Sequence, residues 1–168
     1  MRIGFGYDTH RLEKGYRLIL GGVHLQYEKG LVAHSDGDVL LHAICDALLG
    51  AAGLGDIGHH FPDTDPQYQG ISSLRLLDSC REKIENAGFY IVNLDTLILA
   101  QEPEIAPYAP QMKTRIAEIL RIQPEQVNIK ASTTEKMGPF GRGEGIGANC
   151  IALLALFSSA IDVDEKMS

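Results

Sequence analysis

Residues 3–9 form a short apolar run that reads as a strand, and residues 17–25, interrupted by Gly21-Gly22, read as a hairpin of two short strands. From about residue 37 to 51 the period changes. Leu41, Ile44, Cys45 and Leu48 recur at i, i+3, i+4 and i+7, the apolar stripe of a helix that glycines at 50, 53 and 55 would end. Leu74, Leu77, Cys80 or Arg81, and Ile84 repeat that period and predict a second helix over about 72–87, stopped by Gly88. A strand at 90–99, a third helix from 106 or 107 to about 120 and a strand at 127–132 follow. The run 146–157 is apolar on both alternating faces, so as a strand it needs cover on both sides, one face from its own helices and one from a partner; a short buried helix is the alternative. Between 55 and 66 lies a polar loop with two prolines, of a length that is commonly functional or mobile. Strands with helices packed to one side predict an α+β single-domain sandwich of a mixed sheet. An α/β arrangement is the competitor, disfavoured because the last two strands are joined by a loop too short for a helical crossover.

Composition narrows the class. The chain has 168 residues, 45% of them hydrophobic and 22% charged, enough for one domain with a real core. No apolar run reaches the 18 or so residues needed to span a bilayer, and a strand that starts at once after Met1 leaves no room for a signal or transit peptide. Cys45, Cys80 and Cys150 are far apart and unpaired in spacing, which reads as reduced thiols in a cytoplasmic protein, none of them a metal ligand. The net charge of −7 argues against nonspecific nucleic-acid binding. A phosphorylated ligand would need local cations to offset these acids, and a bound divalent metal is one way to supply them.

Candidate chemistry begins at Asp8-Thr9-His10. In an extended segment residues i and i+2 share a face, so Asp8 and His10 converge on one point with donors that suit zinc. A surface Asp and His at a strand end is the other reading. His42, on the first predicted helix, is the third ligand candidate, with Asp38 and Asp46 one turn before and after it as orienting acids; the alternative is a half-exposed histidine paired with Asp46. Ser35, three residues before Asp38, resembles the start of a capping box, and the first backbone N–H groups of the helix would then be free for an anion. A third segment, 130–145, carries Ser132-Thr133-Thr134, Glu135 and a glycine-rich turn with Arg142. Hydroxyls, backbone N–H groups, a carboxylate for a hard cation and a planar cationic fork are materials for phosphate binding, although a hydroxyl-rich tight turn needs no ligand. The P-loop spacing is missing.

Gly6-Tyr7-Asp8-Thr9-His10, Ala33-His34-Ser35-Asp36-Gly37-Asp38, Gly55-Asp56-Ile57-Gly58, Phe61-Pro62-Asp63-Thr64-Asp65 and Gly141-Arg142-Gly143-Glu144-Gly145 occur in this order. Together, from Met1 to about Phe157, they resemble the 2-C-methyl-D-erythritol 2,4-cyclodiphosphate synthases of the non-mevalonate isoprenoid pathway. The resemblance implies a phosphorus–oxygen lyase domain over 1–158 followed by a mobile tail over 159–168. It implies one zinc on Asp8, His10 and His42 with a fourth position for the substrate's β-phosphate, and Glu135 placing a second ion, Mg²⁺ or Mn²⁺. His34 and Thr133 match residues that stabilise the transition state. Ser35, Asp56, Ile57, Gly58, and Phe61, Pro62, Asp63, Thr64 and Asp65 match the side that holds methylerythritol phosphate, and Asp8, Thr9, His10 and His34 match further substrate contacts. Ala100, Gln101, Glu102, Pro103, Glu104, Ile105 and Ala106, with Ser132, Thr133, Thr134 and Glu135, match the cytidine-diphosphate side, and Arg142 matches a further substrate contact. The implied substrate is a cytidine-diphosphate-linked small molecule, 4-diphosphocytidyl-2-C-methyl-D-erythritol 2-phosphate, whose 2-phosphate displaces CMP. A homotrimer with active sites between subunits is implied, with no nucleic-acid or membrane partner.

The chain departs from the family pattern at Pro139, where an aromatic is usual and Phe140 follows, at Glu104, where lysine is common, and more mildly at Tyr7 near the implied trimer axis. Two other functions compete. A zinc phosphohydrolase would use the same three ligands to activate water, and a structural metal scaffold would close its site with a fourth protein ligand. His24, His59 and His60 read as surface or loop residues outside any metal site.

Overall fold

The computed structural model describes residues 1–157; the tail expected over 159–168 lies outside them. In chain order the elements are β1 (Arg2–Lys14), β2 (Leu18–Leu20), β3 (Val23–Leu25), β4 (Lys29–Leu31), α1 (Val39–Ala52), the single turn α2 (Ile57–His60), α3 (Ser73–Asn86), β5 (Phe89–Leu99), α4 (Ala109–Leu120), β6 (Val127–Ser132), the single turn α5 (Gly138–Gly141) and β7 (Gly145–Leu156). Five strands form one sheet in the order β4-β1-β7-β5-β6, and β2 and β3 form a separate hairpin. The sheet is mixed: β5 and β6 run parallel through the α4 crossover, and the other pairs are antiparallel. This is an α+β sandwich with its helices on one face.

Two glycines decide how closely helix and sheet approach. Gly4 and Gly6 alternate with exposed Ile3, Phe5 and Tyr7 on β1, so they face inward. A Cβ on Gly4 would sit 1.9 Å from the Ala47 carbonyl oxygen, and one on Gly6 would sit 1.9 Å from that of Ala43. The backbones of β1 and α1 therefore touch, and the small residues Ala43, Ala47 and Ala51 complete the seam. The next inward positions of β1 are Asp8 and His10, and the next turn of α1 brings His42. The alternating face that packs the core thus also delivers the ligand candidates.

α1 is more deeply buried than its predicted stripe suggests. It lies between β1 and β7 on one side and α3 on the other, and Leu41, Ile44, Cys45 and Leu48 are inaccessible to solvent. Its start corrects an expectation. The N-cap is Asp38, not Ser35, because Gly37 takes a left-handed φ of 75° and turns the chain before helical geometry begins. The fully buried Asp38 carboxylate accepts from the N–H groups of Leu41 (3.1 Å), Gly21 (2.9 Å) and Gly22 (2.7 Å). It therefore fills the helix mouth expected to be open to an anion, and clamps the β2–β3 turn onto α1. Burial pushes this carboxyl up to about 6, against the three donors that lower it and with Asp36 adding to the rise.

The remaining differences are local. β1 continues past residue 9 to Lys14, where it pairs with the short strand β4. The polar loop over 55–66 contains α2, and the third helix is preceded by a 3-10 turn at Ala106–Tyr108. β7 buries Ile146, Ala148, Cys150, Ala152 and Leu154 against the helices. Its other face, with Ile151 directly opposite Phe5, joins Ile3 and Tyr7 in an apolar surface that is left exposed among the described residues. All three cysteines are buried and free. Among the described residues no helix is long and apolar enough to cross a membrane.

Candidate metal centre and its flanking pockets

Asp8 and His10 stand two residues apart on the inward face of β1, and His42 reaches them from α1. Asp8 Oδ2 lies 2.9 Å from His42 Nδ1 and 3.1 Å from His10 Nε2, and the two nitrogens are 3.2 Å apart. Among the described residues this is the one group of three His, Cys, Asp or Glu donors close enough to share an ion. The near-equal sides of this triangle match the edge of about 3.3 Å expected for a tetrahedron with bonds near 2.05 Å. One carboxylate oxygen and two imidazole nitrogens thus fit three corners of a zinc-type site, with the fourth corner left for a non-protein ligand.

Without an ion these groups satisfy one another. Burial raises the Asp8 carboxyl, but hydrogen bonds from and the charge of His10 and His42 outweigh it and hold it far below the ordinary carboxylate range. Burial likewise lowers His42, but the Asp8 hydrogen bond and charge prevail and raise it above its usual value. A cation entering the triangle would replace those protons and take over their role against Asp8.

The second nitrogen of His42 has partners other than those expected. Neither Asp38 nor Asp46 bonds the imidazole. The Asp38 carboxylate is turned to the backbone N–H groups of Leu41, Gly21 and Gly22, and Asp46 accepts the Ile57 N–H at 2.8 Å, holding the α2 turn. His42 Nε2 instead meets Ser73 Oγ at 2.9 Å and Ser35 Oγ at 3.1 Å. Ser73 carries no local motif; only the docking of α3 beside α1 brings it there.

The triangle opens into a pocket of about 270 Å³. Of the residues singled out in the sequence, Asp8, His10, His34, Ser35, His42, Ile57, Gly58, Phe61 and Asp63 line it. Asp46, Tyr68 and Ile71 join them without having been anticipated as pocket walls. Asp56 and Asp65 serve as N-caps, accepting from His59 N–H and Gln67 N–H, and Pro62 and Thr64 are not among the lining residues. Thr9 points to the opposite face of β1. His60 bonds the Leu54 carbonyl rather than the triad.

A second, larger pocket of about 640 Å³ is lined by Tyr27, Ala100, Gln101, Glu102, Pro103, Glu104, Ile105, Ala106, Ala131, Ser132 and Thr133. It shares no lining residue with the first. Glu135 is exposed at a left-handed φ of 52°, with its carboxylate 3.3 Å from Thr133 Oγ1; it does not join the triad in one chain. Thr134 bonds the Met137 carbonyl, and Arg142 pairs with Glu144 at the surface. Phe140 lies against Gly147, where a Cβ would come within 2.8 Å of its ring, so the aromatic after Pro139 covers the outer face of β7 at Gly147 alone and leaves Ile151 exposed.

A sequence profile described as the YgbB family matches residues 1–155. The chain belongs to that family. A 2-C-methyl-D-erythritol 2,4-cyclodiphosphate synthase of Desulfatibacillum aliphaticivorans is 57% identical over 154 residues, covering 92% of this chain and 99% of the relative. Among solved structures, the bifunctional IspDF of Campylobacter jejuni superposes with a TM-score of 0.90 at 41% identity, covering 94% of this chain and 42% of that longer one. The IspF of Plasmodium falciparum in a CDP complex gives a TM-score of 0.82 at 33% identity, with 94% and 97% covered.

Proposed function

We propose that the protein is a cyclodiphosphate synthase of the non-mevalonate isoprenoid pathway, a phosphorus–oxygen lyase that converts 4-diphosphocytidyl-2-C-methyl-D-erythritol 2-phosphate to 2-C-methyl-D-erythritol 2,4-cyclodiphosphate and CMP. The observation that carries this reading is the three-donor triangle at the mouth of a pocket, in a chain whose relatives are named for that reaction. A closed structural site would need a fourth protein donor, and among the described residues none joins the triad.

Asp8, His10 and His42 would hold Zn²⁺, and Glu135 would help to hold Mg²⁺ or Mn²⁺. When bound, these cations supply Lewis acidity and neutralise the charge of the diphosphate. Both reacting groups are anionic, so the protein's part is to orient them and exclude water. His34, Ser35, Ile57, Gly58 and the 61–65 loop form the methylerythritol side, with Asp56 fixing the α2 turn. Residues 100–106 and 132–135 form the cytidine-diphosphate side, with Thr133 and His34 as donors to the charge that builds at the β-phosphorus. A 2-phosphate oxygen bonds to that phosphorus while its bond to the bridging oxygen breaks, and CMP leaves with the electron pair. No water is consumed.

The separation of the two pockets within one chain supports a homotrimer in which one subunit's metal side faces its neighbour's nucleotide side. The uncovered apolar face of β1 and β7 supports the same assembly. Free buried thiols support a cytoplasmic site. Phosphorus NMR of protein reconstituted with Zn²⁺ and Mg²⁺, incubated with the substrate in ¹⁸O-labelled water, tests the reading. Two mutually coupled diphosphate resonances, CMP and no label in the product are expected. Labelled, open-chain phosphate would make the protein a hydrolase instead.

A further inference from the structure

The triangle is held by a second layer of bonds that reaches α3. Ser73 opens that helix and is fully buried. Its hydroxyl and its N–H both go to Asp36, the hydroxyl to Oδ1 and the N–H to Oδ2 at 2.9 Å. The helix's own N-cap residue, Ser72, makes no side-chain capping bond, so a carboxylate from the distant 34–38 loop caps α3 in its place. Backbone bonds from Asp36 N–H to the Ile71 carbonyl (3.0 Å) and from Gly70 N–H to the His34 carbonyl (2.8 Å) fasten the same loop.

The polarity of this chain of bonds is determined. An ionised carboxylate only accepts, so the Ser73 hydroxyl proton is committed to Asp36. Ser73 Oγ, 2.9 Å from His42 Nε2, is left as an acceptor, and Nε2 must carry the proton. Once a cation displaces the proton that Nδ1 gives to Asp8, the lone pair of His42 is on Nδ1, the nitrogen facing Asp8 and His10. We infer that Ser73 and Asp36 are positioning residues that fix the tautomer and ring orientation of His42 for metal binding. The inference rests on the reading of the triad as a metal centre and adds a role for two residues outside it. Outer partners of this kind typically contribute 10- to 100-fold in metal affinity.

The test is zinc affinity, measured by competition with a chromophoric chelator, for the full-length wild type, Ser73→Ala and Asp36→Asn, alongside thermal unfolding of the metal-free proteins. Ser73→Ala is expected to bind zinc about 10- to 100-fold more weakly with its unfolding transition retained. Asp36→Asn should fall in the same direction: an amide NH₂ in place of Oδ2 would meet the Ser73 N–H, and in place of Oδ1 it would donate to the Ser73 hydroxyl and free that proton for His42 Nε2. Binding within twofold of wild type in a folded Ser73→Ala overturns the inference and leaves the metal centre standing. A wild type that does not bind zinc overturns both. Should Ser73→Ala fail to fold, ¹⁵N NMR of the zinc-loaded wild type decides: a slowly exchanging proton on His42 Nε2 supports the inference, and a proton on Nδ1 overturns it.

Discussion

The two pockets are built in opposite ways. Around the first, the polar side chains are tied inward: His42 is held by Asp8 and two serines, Asp46 by a backbone N–H, and Asp38 by three. Around the second, Thr133, Thr134 and Glu135 are held mainly by bonds within their own turn, and among the described residues no cation pairs with Glu102 or Glu104, which line it. The polar groups of the first pocket are bound by one another and by backbone, whereas the second presents donors and acids to a space that the described residues do not fill. On the proposed assignment, preorganisation resides on the metal side, and the nucleotide side depends on what is brought to it.

The largest expected effect comes from removing a corner of the triangle. His42→Ala should abolish zinc retention, read by elemental analysis after dialysis, and cyclisation with it, while circular dichroism stays that of the wild type. Thr133→Ala should cut turnover by roughly 10²–10³ with zinc stoichiometry unchanged, as expected when one donor to developing charge is lost. Equal losses of zinc in both variants would erase the distinction between the pockets.

Smaller perturbations test the framework behind the first pocket. Gly6→Ala drives a methyl into the Ala43 carbonyl and should lower stability by about 1–3 kcal/mol in denaturant titrations. Asp38 gives a pH signature. Its carboxyl is raised from 3.8 to about 6 in the folded state, so that state binds the proton more tightly than the unfolded chain. This contribution is fully present below pH 3.8 and is lost as pH rises through about 6, with a slope of at most about 1.4 kcal/mol per pH unit. Asp38→Asn should remove that slope from the stability profile over this range. The smallest effect is expected from Arg142→Ala, whose partner Glu144 is equally exposed; its melting temperature should match the wild type.

What the sequence made legible follows from where the information is local. The strand spacing of Asp8 and His10 and the helical stripe around His42 required only the periods of regular structure, and the structure sets those residues side by side. The cap of α1 was misplaced because Ser35 and Asp38 both carry capping side chains, and only the left-handed Gly37 shows which one starts the helix. The orienting partner of His42 was assigned to acids at i±4, whereas Ser73 comes from 31 residues away. Such a contact exists only after α3 has docked, and no local pattern announces it. Glu135 and Thr133 are assigned to the cytidine-diphosphate side only through a family resemblance that implies sites between subunits, and within one chain neither lines the first pocket.

The central claim, that a working site joins one chain's metal pocket to another chain's nucleotide pocket, is tested most directly by mixing subunits. Equal amounts of inactive His42→Ala and inactive Thr133→Ala proteins, unfolded and reassembled together, should recover about a quarter of wild-type cyclisation, because about one interface in four pairs two intact halves. Activity no higher than that of either variant alone, in mixed assemblies verified by mass spectrometry, would contradict it.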